Sequence, residues 1–123
     1  MPYIKKDDGR REALQNREPA LLAGELNYQI FYYVKHYDFR KMDKKYNYTF
    51  TAQIAGFVSN FVGHKANYQR YNDMTGVLVR CKKEIYRRLH IDVEEYFDEI
   101  LNYYDREIAK YEDIKINENG DVE

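Results

Sequence analysis

Tyr71, Met74, Leu78, Cys81, Ile85 and Arg88 or Leu89 follow one another at intervals of three and four, and Val93, Phe97, Ile100, Tyr104, Ile108 and Tyr111 take up the same rhythm directly afterwards. A helix gathers residues at that spacing on one face, whereas a strand would need alternation every two. Two seams of this kind in succession leave little room for a sheet. They restrict the second half of the chain to helix packed on helix, as a coiled-coil-like seam does.

The rest of the chain conforms. Residues 1–9 read as a polar arm, with Asp7 or Asp8 as a cap for a short charged helix over Arg10–Glu18, and Pro19 either ends that helix or starts the next turn. Leu26, Ile30, Tyr33, Val34 and Tyr37 share a helical face. Residues 38–47 are polar and read as a connection. Thr49 or Thr51 is placed to cap a third helix, with Ile54, Phe57, Val58, Phe61 and Val62 buried and Gly63 at its end. Gly76 interrupts the fourth helix at a cost of about 1 kcal/mol relative to Ala, which suggests close approach of another helix or a ligand. Asp92 caps the fifth, and Asn119-Gly120 marks a turn in the tail. The expected fold is all-α: a compact bundle of four to five helices forming one domain over 1–123, with a polar N-terminal arm and a C-terminal tail over 112–123.

Composition narrows the function. Twenty basic against 21 acidic residues give a net charge of -1, a poor basis for duplex-DNA binding, whose affinity comes from neutralising phosphates. The single cysteine, Cys81, makes no internal disulfide and, on an apolar stripe, reads as an inert buried thiol. No segment approaches the roughly 20 apolar residues that span a bilayer, and no secretory h-region is visible. The expected compartment is the cytoplasm, with no membrane partner. Fourteen Tyr and six Phe without a Trp replace much of the usual aliphatic core. Tyr96, Phe97, Tyr103, Tyr104 and Tyr111 make the last helix aromatic on more than one face, so a homo-oligomer is expected.

Catalytic constellations are not apparent. His36, His64 and His90 fall in no metal-ligand spacing and read as surface or boundary residues; no P-loop, G-x-S-x-G or dinucleotide fingerprint occurs. Glu94, Glu95, Asp98 and Glu99 resemble half of a magnesium site, but no facing helix carries the second carboxylate pair, and they read as a solvated acidic face near a helix N-terminus. No enzyme activity, cofactor or metal is expected. The cations are more informative. Arg80, Lys82, Lys83, Arg87 and Arg88 lie together, with Lys83 and Arg87 on one face and Tyr86 between them. Arginine forks match phosphate oxygens and tyrosines stack on bases, so a handful of such groups suits one phosphorylated nucleotide. The competing explanation is a salt-bridged surface in which Glu84 pairs with Arg88 at i, i+4.

Several blocks then form a series: Met1-Pro2-Tyr3-Ile4, Gly24-Glu25-Leu26-Asn27-Tyr28, Tyr86-Arg87-Arg88, Tyr111-Glu112-Asp113 and Glu118-Asn119-Gly120-Asp121-Val122. In this order they resemble a family of short bacterial, archaeal and phage proteins, a domain of unknown function. In that pattern the YRR block runs almost directly into the YED block. Here Leu89–Lys110 intervene, so the aromatic helix over 92–111 reads as an added element. The resemblance brings no activity with it, but it singles out polar residues inside its blocks.

The resulting expectation is a non-enzymatic, phage-encoded binding protein that sequesters a phosphorylated nucleotide-type signal molecule, an anti-defence sponge. Arg87, Arg88 and Lys83 would meet phosphate, Tyr28 or Tyr86 would stack on the base, and Asn27 would supply an amide contact. An alternative of another class is a protein–protein inhibitor or adaptor of a host defence protein that uses the Tyr-rich last helix. A third is single-stranded nucleic-acid binding by tyrosine stacking beside the basic cluster.

Overall fold

The structure, a computed structural model, describes residues 4–6, 9–41, 44–63 and 67–121, with the side chains of 41–48 outside that description. Five α-helices follow in order: α1 (Gly9–Gln15), α2 (Ala23–Lys35), α3 (Lys44–Val62), α4 (Tyr68–Leu89) and α5 (Glu94–Asn119), with a 3₁₀ turn at Phe39–Lys41 before α3. Among the described residues there is no strand, so the all-α expectation holds.

Side-chain contacts give the helix directions. Arg70 bonds the Leu21 carbonyl, the Cys81 thiol approaches the Asn27 carbonyl and Arg88 lies on Phe31, so α2 and α4 run parallel. Phe57 meets Tyr33 and Phe50 meets Tyr37, which sets α3 antiparallel to α2. Tyr111 meets Tyr71 while Lys82 reaches Glu94 and Asp98, so α5 returns antiparallel to α4. Helix α4 is central, packed on α2, α3 and α5, and α1 lies against α2. All the expected seam residues of α2, α3 and α4 are buried or half-buried in one core cluster. The mutual edge-on contacts of Tyr37, Phe39, Phe50 and Tyr96 show why this core spends aromatics rather than leucines.

Several local expectations are corrected. Helix α3 starts at Lys44, so Thr49 and Thr51 lie inside it and cap nothing. The stretch Lys44–Tyr48 is polar but contains no Gly or Pro, and lysine is a good helix former. Gly76 faces open space: a Cβ there would meet nothing within 4 Å, so no close approach explains it. Helix α5 continues through the expected tail as far as Asn119, because no Gly or Pro interrupts it before Gly120, whose φ of 84° ends it. Its 26 residues span about 39 Å, and every residue from Glu112 to Asn119 is exposed, so its last turns project beyond the core. The first helix stops at Gln15, short of the expected Glu18. The arm is not wholly free either, since Ile4 packs on the core and its carbonyl accepts from Arg11 at 2.6 Å. Gly63 does end α3, with φ 72°. Asp92 accepts from the Glu94 N–H at 3.0 Å, one residue outside the N-cap position that Val93 occupies. Asp7, Asp8, His64 and the Met1-Pro2-Tyr3 block lie outside the described residues.

Candidate functional site

Helices α1 and α2 meet through polar contacts that fix what they present to solvent. Arg10 grips Glu25 with two N–H donors at 2.8 and 3.0 Å, and Glu25 also accepts from the Leu21 N–H. The Arg10 bonds, the largest effect, hold the Glu25 carboxyl below its ordinary range. Leu14, the buried residue of α1, inserts beside Gln29, whose amide nitrogen donates to the Leu14 and Glu18 carbonyls at 3.0 and 2.8 Å. The chain leaves α1 through Arg17 at φ 69°, with Arg17 N–H on Leu14 O and Glu18 N–H on Ala13 O, the bonding of a Schellman cap.

This docking opens a groove of about 350 Å³ between α1, α2 and the end of α4, near the lower end of the range for small-molecule sites. Arg11, Tyr28, Tyr32, Lys35, His36 and Arg88 line it, and among its described lining residues none is acidic. The Arg88 guanidinium lies 4.7 Å from the Phe31 ring centroid and that of Arg11 lies 5.4 Å from the Tyr28 ring centroid. Arg88 rests on an aromatic face, Arg11 on an aromatic face and the Ile4 carbonyl, and among the described residues neither is paired with a carboxylate. Gln15 donates to the Tyr28 hydroxyl at 2.8 Å, and the rings of Tyr32 and His36 lie 4.3 Å apart. Helix C-termini attract cations, which accounts for Lys35 and Arg88 at the ends of α2 and α4. It does not account for Arg11, which sits in the first turn of α1, where the helix dipole favours an acid. A cation placed there and turned onto a tyrosine face suits an anion in the groove.

The six residues singled out by sequence separate. Tyr28 and Arg88 meet in the groove. Asn27 is buried 2 % exposed in the helix face beside Cys81, with its Oδ1 unpartnered, and does not line the groove. Lys83 and Tyr86 face a different hollow of about 480 Å³ beside Asp92 and Glu94 at the start of α5. Arg87 projects into solvent with its side chain 73 % exposed. The expected Glu84–Arg88 pair is also corrected: buried Glu84 approaches Arg87 at 3.9 Å, while Arg88 turns to Phe31. Of the acidic face, Glu94 and Asp98 pair with Lys82 across α4 and α5. His36 and His90 are exposed at helix ends, as boundary residues are. Burial pushes the Cys81 thiol up to about 12, consistent with an inert core residue. Arg11, Gln15, Phe31, Tyr32 and Lys35 escaped the sequence reading. The signal available for them was the position of Lys35-His36 at the end of a helix; nothing local marked Arg11.

Residues 45–122, more than half of the chain, match the family described as Domain of unknown function (DUF6899). The chain belongs to that family. The DUF6899 match spans the stretch that holds α4 and α5. Helices α1 and α2 lie ahead of the match, so of the groove residues only Arg88 falls inside the DUF6899 region. No curated protein and no solved structure matches the chain. Among the described residues no helix is long and apolar enough to cross a membrane.

Proposed function

We propose that the protein is a non-enzymatic binding protein that captures a phosphorylated, nucleotide-type molecule in the groove between α1, α2 and the end of α4. The observation that carries this reading is the pair of ring-supported arginines, Arg11 and Arg88, beside Lys35 in a groove whose described lining has no acid. Guanidinium forks bind phosphate oxygens bidentately, and Tyr28 and Tyr32 offer ring faces at the same place. The role of Lys83, Tyr86 and Arg87 passes to Arg11, Tyr32 and Lys35. What supports a phage setting is the resemblance of the GELNY, YRR and ENGDV blocks. In that setting the protein acts as a sponge, lowering the free concentration of a signal without turnover, and it assembles as a homo-oligomer.

Native mass spectrometry of the full chain purified from a bacterial host, without dialysis, tests this reading. The expected spectrum shows nucleotide-sized extra mass on the parent and none on Arg11→Ala/Arg88→Ala. Equal retention by the double variant, or no retained mass together with no binding of a nucleotide panel, would refute it. A second reading, a partner-binding inhibitor or adaptor, draws on the exposed Tyr103 and Ile114 of α5. Loss of partner capture on truncation after Glu112 would favour it, since that change leaves the groove intact.

A further inference from the structure

Behind the Tyr32–His36 pair lies a second chamber of about 280 Å³, which shares Gln15, Tyr32 and His36 with the charged groove. Its character differs. Its charged lining residues are one cation, Arg17, and one anion, Asp38, and Tyr33, Tyr37 and Phe57 give it aromatic walls. Gln29 also lines it and is only 2 % exposed. Both N–H donors of the Gln29 amide are committed, to the Leu14 and Glu18 carbonyls. Turning the amide over would set its oxygen against those two carbonyls, so its orientation is fixed by its neighbours. The remaining atom, Oε1, is buried and has no partner. A buried acceptor without a donor is costly, and none of the groups that line the chamber donates to it in the structure.

We infer that this chamber is the base subsite of the captured nucleotide, and that Gln29 Oε1 accepts a hydrogen bond from an exocyclic amine of the base. The inference rests on the nucleotide reading above and extends it to ligand class. The phosphate lies among Arg11, Lys35 and Arg88, and the heterocycle enters past Tyr32 and His36 between the aromatic walls. A base carrying an amine, such as adenine or cytosine, satisfies Oε1. A base carrying a carbonyl at the same position sets oxygen against oxygen, and a site built around a buried polar group discriminates strongly against the analogue that leaves it unpaired.

Isothermal titration of the full chain with adenosine and inosine 5′-monophosphates, with cytidine and uridine 5′-monophosphates, and with inorganic pyrophosphate tests it. Each nucleotide pair exchanges an amine for a carbonyl and leaves the protein unaltered, so no variant has to fold. The expected result is that the amine member of at least one pair binds about tenfold or more tightly than its partner. Equal affinity within both pairs overturns the Gln29 assignment and leaves nucleotide capture standing. Binding of pyrophosphate alone overturns the base subsite and reduces the groove to an anion site. No binding of any probe overturns both readings.

Discussion

Arg87 and Arg88 are neighbours in sequence and alike in chemistry, yet the structure gives them different work. Arg88 lies on Phe31 and lines the groove; Arg87 stands 73 % exposed with Glu84 at 3.9 Å. Removing Arg88 deletes a bidentate, charge-assisted contact to phosphate, about 1.5–3 kcal/mol, or roughly 10- to 150-fold in affinity. Its packing on Phe31 adds only about 0.5–1 kcal/mol to stability, because the cation is exposed. Arg88→Ala is therefore expected to bind the retained molecule, or a nucleoside monophosphate, at least tenfold more weakly while its urea midpoint moves little. Arg88→Lys keeps the charge but loses the fork, and falls between. Arg87→Ala changes affinity less than about threefold, since an exposed and solvent-screened charge contributes little. Titration calorimetry with parallel denaturation measures both quantities. If Arg87→Ala weakens binding and Arg88→Ala does not, the ligand sits on the α5 side of α4 and the groove assignment is wrong.

Other consequences follow from single observations. Gly76→Ala fills open space on an exposed helix surface and should raise stability by about 1 kcal/mol, read as a higher melting temperature; a decrease would show that the glycine is engaged by something. Glu25 is held below its ordinary range chiefly by Arg10, so its contribution is present above the unfolded carboxyl value and is lost as pH falls through the folded one. Glu25→Gln should cost about 1–3 kcal/mol near neutral pH and flatten the acid limb of a stability–pH curve; an unchanged limb would dismiss the pair as a contributor. Cys81, raised to about 12 by burial, should resist thiol reagents at neutral pH until the protein is unfolded. Its stabilising effect runs the other way, complete below the unfolded thiol value and lost as pH rises toward 12.

The bundle was legible because its evidence is periodic. Each seam residue from Leu26 to Ile100 states its own face by its spacing, and burial follows face. The end of α3 was read where a special backbone angle demanded glycine, at Gly63, and element ends were missed where polar helix formers merely continued, at Lys44 and beyond Tyr111. The groove has no such period. Arg11, Tyr28, Lys35 and Arg88 come from three helices and lie up to 77 residues apart in sequence, from position 11 to position 88. Only the parallel course of α2 and α4, and the docking of α1, brings them together. Proximity in sequence misled in the opposite sense: Lys83, Tyr86 and Arg87 cluster along the chain but point away from Arg88.

The site thus depends on an element that has little stability of its own. Helix α1 is seven residues long, well below the length at which an isolated helix persists, and Leu14 is its buried anchor. It nevertheless supplies Arg11 to the charged groove, Gln15 to both the groove and the inner chamber, and one of the carbonyls that orient Gln29. Leu14→Ala would remove about 2–5 kcal/mol of packing from this one place. Helix α1 packs chiefly on α2, so the loss falls first on the α1 attachment rather than on the contacts among α3, α4 and α5. The expected outcome is fast amide exchange over residues 9–15, slow exchange retained in α4, and nucleotide affinity reduced by tenfold or more. Hydrogen exchange and calorimetry on the same sample decide the matter. Full affinity alongside an exchange-open α1 would remove α1, and Arg11 with it, from the binding site.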